Sequence, residues 1–445
     1  MLEVLNTLLW GPGTLALILG TGVWLTLRTG GFPQRNLGRA LTLSLGREAR
    51  RKGRGGVSPF GSLMTALAST VGTGNIVGVA AALVSGGPGA LVWMELAAAL
   101  GLASKFAECM LAVKYRHVRR DGTRWGGPMA VMETRLGPAG AVCGRFYALF
   151  ALLMAFAMGA MAQSGALADT FSAAFTLPRW RVGLVTAALA LTILLGGIRR
   201  IAEISTVLVP VMALLYLGGG LAVILGNLRR LPEAVTLMLR CAVASEAALG
   251  GALGIVTRRE ALRWGVARGV FSNEAGLGSA AITAACADTE DPVRQGLISM
   301  TGVFFDTMVI CTVTGLAICC SGTLGAADGN GRPLTGAALT LRAFETVLGP
   351  LAPWLIGVAL GLFAFTSVLG CAVQAETTAS YLLGPEAVRP CRVLYGLAVF
   401  AGAVIPMATV LQLADLANAL MAFPNLVCLL LLSDEIAGEG RRKDR

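Results

Sequence analysis

Residues 69–78 read Ser-Thr-Val-Gly-Thr-Gly-Asn-Ile-Val-Gly, which places hydroxyls, an amide and three glycines inside an apolar stretch long enough to cross a bilayer. Gly costs about 1 kcal/mol relative to Ala in a helix interior, and unpaired backbone groups in hydrocarbon cost several kcal/mol more. Such a run makes sense as a helix break whose freed groups line a cavity and meet a ligand. The competing reading is a close helix–helix contact, which small residues also permit. In a break, the N–H groups of Thr73 and Gly74 open a half-helix, whose terminus carries about half a positive charge and suits a carboxylate. Asn75 adds an amide to the same turn. The carbonyls around Ala68 and Val71, at the end of the preceding half-helix, suit a hard cation such as Na⁺.

Other polar residues in apolar surroundings extend this chemistry. Thr366 and Ser367, inside Leu-Phe-Ala-Phe-Thr-Ser-Val-Leu-Gly, complete an oxygen cage with those carbonyls, unless each simply bonds its own helix. Gln163, in a Met/Ala-rich span, is a donor for a substrate carboxylate or else glue between helices. Asp306, in Val-Phe-Phe-Asp-Thr-Met, is an intramembrane acid, the kind of group that marks cation or proton sites. Glu246 stands four residues before Gly250 and is a candidate for a substrate amine, or a helix-end residue reaching the interface; Glu95 is a weaker candidate. Lys105 and Glu108, at i and i+3, read as an internal ion pair. The single histidine, His117, lies in a basic loop, so neither a histidine metal site nor a nucleophile–base pair is present, and enzymatic chemistry is not expected. The cysteines mostly fall in or beside apolar segments with no CxxC pair and read as small buried hydrophobes.

The elements that must position these groups are spanning helices. Of 445 residues, 55% are hydrophobic and 14% charged, against about 25% charged in soluble domains. The mean hydropathy is +0.72, and the chain is a polytopic membrane protein. The net charge of +11 is spread over loops between apolar segments, without the basic–aromatic blocks of a nucleic-acid surface. A span needs about 20 apolar residues, which predicts eleven segments: 8–27, 60–84, 88–114, 142–172, 181–197, 204–227, 237–257, 293–320, 351–383, 391–407 and 411–432. Glu3, with no basic region before the first of them, argues for a retained helix rather than a cleaved signal. Basic residues cluster at 35–54, 114–124, 199–200, 258–268, 389–392 and 441–445, in alternate loops. The positive-inside rule puts these in the cytoplasm, with the N-terminus outside and the C-terminus inside.

Eleven spans divide into one extra N-terminal helix, 8–27, and two five-helix repeats of opposite orientation, 58–227 and 237–432, followed by a basic tail, 433–445. In inverted-repeat transporters the matching helices of the two halves are often broken near the midplane. The first break is at Gly72 and Gly74; its expected counterpart is Gly250-Gly251-Ala-Leu-Gly254 in segment seven.

The chain resembles the alanine/glycine:cation symporters, a bacterial and archaeal family of sodium-coupled amino-acid transporters, from about residue 57 to residue 433. The resemblance is carried by Ser58-Pro59-Phe60, Thr70-Val-Gly-Thr-Gly-Asn-Ile-Val-Gly78, Gly86-Gly-Pro-Gly-Ala90 and Lys105-Phe-Ala-Glu108. It continues through Gly196-Gly-Ile198, Arg268-Gly-Val-Phe-Ser-Asn-Glu-Ala-Gly-Leu-Gly-Ser279, Pro292-Val-Arg-Gln-Gly296, Leu420-Met421 and Pro424-Asn425. The resemblance implies an all-α leucine-transporter (LeuT) type fold of five plus five helices with one extra N-terminal helix. It also implies that the Thr73 and Gly74 amides and Gln163 hold a carboxylate. Na⁺ would lie among the Ala68 and Val71 carbonyls, Thr366 and Ser367. Ser272, Asn273 and Glu274 would sit in a gating or packing loop on the cytoplasmic side. Four departures stand out: Ser164 after Gln163, Ala130-Val131-Met132, Glu246, and Cys371 where the family usually has Trp. If Cys371 lines the pocket, more than about 100 Å² of aromatic surface is lost there.

The expected function is Na⁺-coupled symport of a small neutral amino acid into a bacterial or archaeal cell by alternating access. Asp306 joins the cation ligands, and Gly250, Gly251 and Cys371 join Thr73, Gly74, Asn75 and Gln163 around the substrate. No cofactor or metal other than Na⁺, no nucleic acid and no obligatory oligomer is expected; the partners are the amino acid, Na⁺ and the lipid bilayer. The alternatives are proton coupling through Asp306 or Glu246 with an altered substrate range, and a divergent non-coupled or sensor protein.

Overall fold

A computed structural model describes residues 9–51, 57–118, 123–243, 246–248 and 255–444. The chain is almost entirely helical. An N-terminal helix α1 (Pro12–Arg28) is followed by a short amphipathic helix α2 (Leu37–Leu45). The next span is bent by 62°: α3 (Pro59–Thr70) and α4 (Val77–Gly86) are separated by a 3₁₀ turn, Thr73–Asn75. Pro59 at the first helical position and the Ser58 hydroxyl, which accepts from Gly61 N at 3.0 Å, start α3. Helix α5 (Gly89–Lys114) then runs through the core, and two antiparallel two-residue strands, β1 (His117–Val118) and β2 (Arg124–Trp125), precede α6 (Pro128–Met154). A π-helical stretch, Ala155–Ala162, joins α6 to α7 (Gln163–Phe175). Helices α8 (Arg179–Leu194) and α9 (Gly197–Gly226) complete the first half.

The second half departs from the expected boundaries. Helix α10 (Leu231–Val243) stops short, and a hairpin of β3 (Glu246–Ala248) and β4 (Ile255–Thr257) follows. The expected span at 237–257 is therefore not one helix. The 13 residues of α10 extend about 20 Å, too little for a hydrocarbon core of about 30 Å. Instead α10 lies against the start of α5: Trp93 Nε1 donates to Ala242 O at 3.1 Å, and Gly89 leaves no room for a Cβ beside Cys241. The crossing is made by α11 (Arg258–Asn273) and α12 (Ser279–Ala285), interrupted at residues 274–278. Helix α11 begins beside the far end of α4, where Gly86 packs on Trp264 and the Glu260 backbone. Gly250 and Gly251 lie outside the described residues, and the break that matches Gly72 is at 274–278.

Next come α13 (Pro292–Val303), a second π-helical stretch, Phe304–Cys311, and α14 (Thr312–Ser321). They are followed by α15 (Gly336–Leu348), α16 (Ala352–Leu383), α17 (Val388–Val404), α18 (Met407–Leu431) and a terminal helix α19 (Ser433–Asp444). Among the described residues, seven continuous helices are long and apolar enough to cross a membrane, and the bent α3/α4 pair makes an eighth. The two interrupted spans cross: α3 packs on α12, and α4 packs on α11.

Charge separates the two ends of the bundle. At one end Arg28 pairs with Asp434, Lys114 with Glu435 and Glu439 at 2.7 Å, Arg294 with Glu48 at 2.8 Å and Lys443 with Asp291 at 2.6 Å. This basic end gathers the loops that follow α1, α5 and α12 together with the tail. Arg258, Arg259 and Arg263 do not join it. Because α10 never crosses, they lie at the opposite end with α4, which corrects their grouping with the other basic loops.

Candidate functional site

The first break is made by local chemistry. The last α-helical bond of α3 is Val71 N to Leu67 O at 2.7 Å, after which Val71 and Gly72 are extended. Asn75 folds back, its Oδ1 accepting from Gly72 N at 3.0 Å. Among the described residues the Thr73 and Gly74 amides find no acceptor. Both residues line a cavity of about 370 Å³ that also meets Met158, Phe271, Arg268, Asp169 and Asp415. Gln163 stands over the break, held by the helix that follows the π stretch: its amide lies against Gly72, and the Thr73 hydroxyl donates to its Oε1 at 3.3 Å. With Oε1 engaged, Gln163 has its N–H₂ to offer a carboxylate.

The oxygens expected to hold a cation are on the other side of the same break. Ser367 Oγ reaches Phe363 O at 2.9 Å and Val71 O at 3.4 Å. Close approach is enforced by two glycines. A Cβ on Gly72 would sit 2.8 Å from Ser367 Oγ, and Gly370 leaves no space against the Ala68–Ser69 backbone. Thr366 behaves differently, its hydroxyl bonding Leu362 O at 2.9 Å and Phe363 O at 3.0 Å and touching Met212 Sδ at 3.2 Å. The structure thus brings Val71 and Ser367 together beside Ala68, and it turns the Thr366 hydroxyl toward α9. Phe363 was missed from sequence, although its carbonyl is where both hydroxyls meet; the i−3 and i−4 spacing of Thr366 and Ser367 was the available signal.

Asp306 sits fully buried in the second π-helical stretch, a feature common at functional sites. Its carboxylate accepts from Asn75 Nδ2 at 2.7 Å, Ser272 Oγ at 2.8 Å and Thr307 Oγ1 at 2.9 Å. It therefore ties the first break to the end of α11.

Ser272, Asn273 and Glu274 are buried at the second break and not in a surface loop, because α11, not segment 237–257, crosses the bundle. Asn273 Nδ2 donates to Thr307 Oγ1 at 3.1 Å, and Asn273 Oδ1 accepts from Ala275 N at 2.9 Å. The backbone amides freed here are already matched. Glu108 Oε2 accepts from Gly276 N at 3.1 Å, Gly278 N at 3.0 Å and Asn425 Nδ2 at 3.2 Å. Lys105 Nζ lies 3.4 Å from Glu108 Oε1 and donates to Glu274 O at 3.0 Å; the Glu274 carboxylate takes the Ser279 hydroxyl. The Lys105–Glu108 pair predicted on one helix face is present, and its role as the cap of a broken helix needed the fold to be seen.

Of the residues expected around the substrate, Thr73 and Gly74 line the cavity, whereas Asn75, Gln163 and Cys371 are buried behind its wall. Cys371 is buried against Gly159, where a Cβ has no room, and beside Tyr395; it does not line the space with Thr73 and Gly74. Glu246 falls in β3, at the end of the bundle where α10 and α11 meet. Sequence reasoning also missed Asp415 and Arg268 as cavity residues. Asp415 carries the same signal as Asp306, a lone acid in an apolar stretch.

A helical bundle with two interrupted spans crossing at its centre, one of them bearing unpaired amides over a cavity, defines a secondary transporter of the LeuT fold. Of the solved structures, MhsT in complex with L-phenylalanine matches this fold with a TM-score of 0.58 over 84% of this chain and 88% of that one, at 14% identity. A manganese transporter of Eremococcus coleocola, solved as a single-residue mutant, matches with a TM-score of 0.50 over 84% of this chain and 77% of that one, at 12% identity.

The chain belongs to the sodium:alanine symporter family, whose model matches residues 1–441. It is 41% identical to the sodium/alanine symporter AgcS of Methanococcus maripaludis, covering 99% of this chain and 96% of that protein. It is 43% identical to an uncharacterized transporter of Haemophilus influenzae over 99% of this chain and 94% of that one, and 36% identical to the probable sodium/glutamine symporter GlnT of Bacillus subtilis over 97% and 87%. It is a multi-pass membrane protein of a family of amino-acid and cation symporters.

Proposed function

We propose that this protein couples the inward movement of Na⁺ to uptake of a small neutral amino acid such as alanine or glycine. The observation that carries this reading is the adjacency of two kinds of group on one break. The free amides of Thr73 and Gly74 suit the substrate carboxylate, with Gln163 as a further donor. One residue before Gly72, the Val71 carbonyl meets Ser367 Oγ, which also touches Phe363 O. A cation held among these oxygens stiffens the break that presents the amides, so each ligand strengthens the other's binding, and the coupling is reciprocal.

In this reading the basic end is cytoplasmic. The cavity over Thr73 and Gly74 then opens outward, while the half-helices toward the cytoplasm, α3 and α12, are buried along their lengths apart from Thr70. Transport exchanges this arrangement for one in which α3 and α12 part. The crossed pair of broken spans is the moving unit, and it shifts against the rest of the helix bundle. Asp306 joins Asn75 to Ser272 and keeps the two breaks in register.

The test is uptake of labelled alanine and glycine into proteoliposomes under an inward Na⁺ gradient with no pH gradient. Uptake that requires Na⁺ supports the proposal. Uptake that ignores Na⁺ and follows a pH gradient overturns it in favour of proton coupling, and Na⁺ currents without substrate favour a leak.

A further inference from the structure

We infer that a cavity at the basic end of the bundle holds the phosphate of an anionic phospholipid, whose acyl chains lie against the end of α8 and the start of α17. The inference uses the symport reading above only for which end is cytoplasmic and which spans move. The cavity has a volume of about 300 Å³ and shares no lining residue with the one over Thr73 and Gly74. It belongs to the basic end because Trp125, beyond α5, and Cys286, at the end of α12, both line it. Arg124 of β2, Arg199 of α9 and Arg392 of α17 face it, and Glu376 of α16 is the single lining carboxylate among the described residues.

The three arginines differ in what they already hold. Arg124 pairs with Asp288 and, at 2.8 Å, with Glu290. Arg392 grips both oxygens of Glu376 at 2.8 Å, leaving Nη1 to reach Leu195 O at 3.4 Å. Arg199 has no ion pair or hydrogen bond among the described residues. It stands with Arg200 in the first turn of a 30-residue helix that has no acidic residue in that turn and no side-chain cap. Cations at the positive end of a helix are unfavourable, and an anion in the cavity turns that repulsion into attraction. Guanidinium groups take phosphate oxygens two at a time. Just beyond the arginines the surface becomes apolar: Leu195, Leu383, Leu394 and Leu397 are all exposed. Because α17 enters the membrane from Val388, its two leucines lie on the bilayer side of Arg392. A soluble phosphate meets only the arginines, whereas a phospholipid also covers these leucines. Basic pockets between spanning helices on the cytoplasmic side suit such headgroups.

The cavity also lies between a part of the bundle that moves and a part that does not. On one side the β1 and β2 strands are fastened to the end of α12: Arg116 donates to Ala287 O at 2.6 Å, and Arg124 holds Asp288. On the other side Arg392 and Glu376 fasten α17 to α16, beside the start of α9. The rings of Trp125 and Tyr381, 6.1 Å apart, meet across the two sides. A phosphate bound by Arg199 and Arg392 together with Arg124 joins one wall to the other. Occupancy therefore favours the state whose cytoplasmic end is closed, since a ligand shifts an equilibrium toward the state that binds it better.

The experiment titrates phosphatidylglycerol into full-length protein held in detergent–phosphatidylcholine micelles and reads the melting temperature, which rises when a ligand binds the folded state. Phosphatidylglycerol should raise it saturably above equal additions of phosphatidylcholine. Arg199→Gln should need about fivefold more phosphatidylglycerol for half the shift, the weight of one arginine at an anionic surface. Arg199→Lys, which keeps the charge and loses the fork, should fall between the two. Arg389→Gln removes an equal charge from an exposed residue outside the cavity and should titrate like the wild type. In proteoliposomes at saturating Na⁺, phosphatidylglycerol should lower the alanine concentration for half-maximal uptake about twofold in the wild type and not in Arg199→Gln. An equal lipid effect on uptake in both overturns the link to transport. Equal weakening of the melting shift in Arg389→Gln and Arg199→Gln overturns the site in favour of a generally basic surface. Glycerol phosphate that reproduces the shift overturns the lipid as occupant, and a wild type indifferent to phosphatidylglycerol overturns the whole inference. Melting needs neither Na⁺ nor alanine, so failure of Na⁺-driven uptake sinks the symport reading and leaves the lipid result standing.

Discussion

The two interrupted spans meet the same physical problem in opposite ways. At 71–75 the chain leaves the amides of Thr73 and Gly74 unpaired and opens a cavity in front of them. At 274–278 it brings in its own carboxylate, Glu108, to accept from Gly276 and Gly278, and backs that carboxylate with Lys105. A helix terminus in a membrane attracts an anion in either case. Where the protein supplies the anion, the break is a fixed joint; where it does not, the break is open to a ligand. A broken helix is therefore not in itself a binding site, and the position of the nearest internal carboxylate decides.

The strongest way to break this comparison is Glu108→Ala. It strips the second break of its acceptor and leaves Lys105 buried with only Glu274 O, so it should destabilise the protein by about 3–5 kcal/mol. The check is thermal melting of the purified protein, and Glu108→Gln, which retains an acceptor oxygen, should recover a large part of the loss. If Glu108→Ala melts like the wild type, the second break is not held in the way described.

At the first break the expected damage is to function before stability. Gly72→Ala pushes a Cβ to within 2.8 Å of Ser367 Oγ and should lower Na⁺-driven alanine uptake roughly 5- to 100-fold, since overpacking of this kind costs about 1–3 kcal/mol. Binding titrations with and without Na⁺ would show both ligands weakened. Ser367→Ala sharpens the assignment of roles. It should raise the Na⁺ concentration for half-maximal uptake about tenfold, with alanine affinity at saturating Na⁺ nearly unchanged. Thr366→Ala should do less, because that hydroxyl is spent on its own helix and Met212.

The smallest effect is expected at Cys371. Its side chain faces Gly159 and not the cavity, so Cys371→Ala should leave the order of preference among small neutral amino acids as it is. A changed order in competition assays would return Cys371 to the pocket wall.

Much of the first break could be read directly. Gly72, Gly74 and Asn75 violate what an apolar span prefers, and the violation is local, so residue types and spacing expose it. The flanking oxygens were half legible: Thr366 and Ser367 announce polar groups in hydrocarbon, but which of them faces α3 depends on the rotation of α16, set by Gly370 against Ala68 and Ser69. The second break was misread for a related reason. Gly250 and Gly251 carry the same local signal as Gly72, whereas residues 272–279 look like a polar loop. What reassigns them is the seating of α10 on the start of α5 through Trp93 and Gly89, which stops α10 from crossing and hands the span to α11 and α12.

Class, family and the chemistry of residues 71–75 are thus properties of the chain as written, because the cost of a Gly-, Thr- and Asn-bearing break in hydrocarbon is incurred within a few residues. Whether a break stays open is not such a property. Glu108 and Gly278 are 170 residues apart, and Asn75 and Asp306, another decisive pair, are 231 apart. Only folding brings a carboxylate to one set of freed amides and leaves the other set facing a cavity.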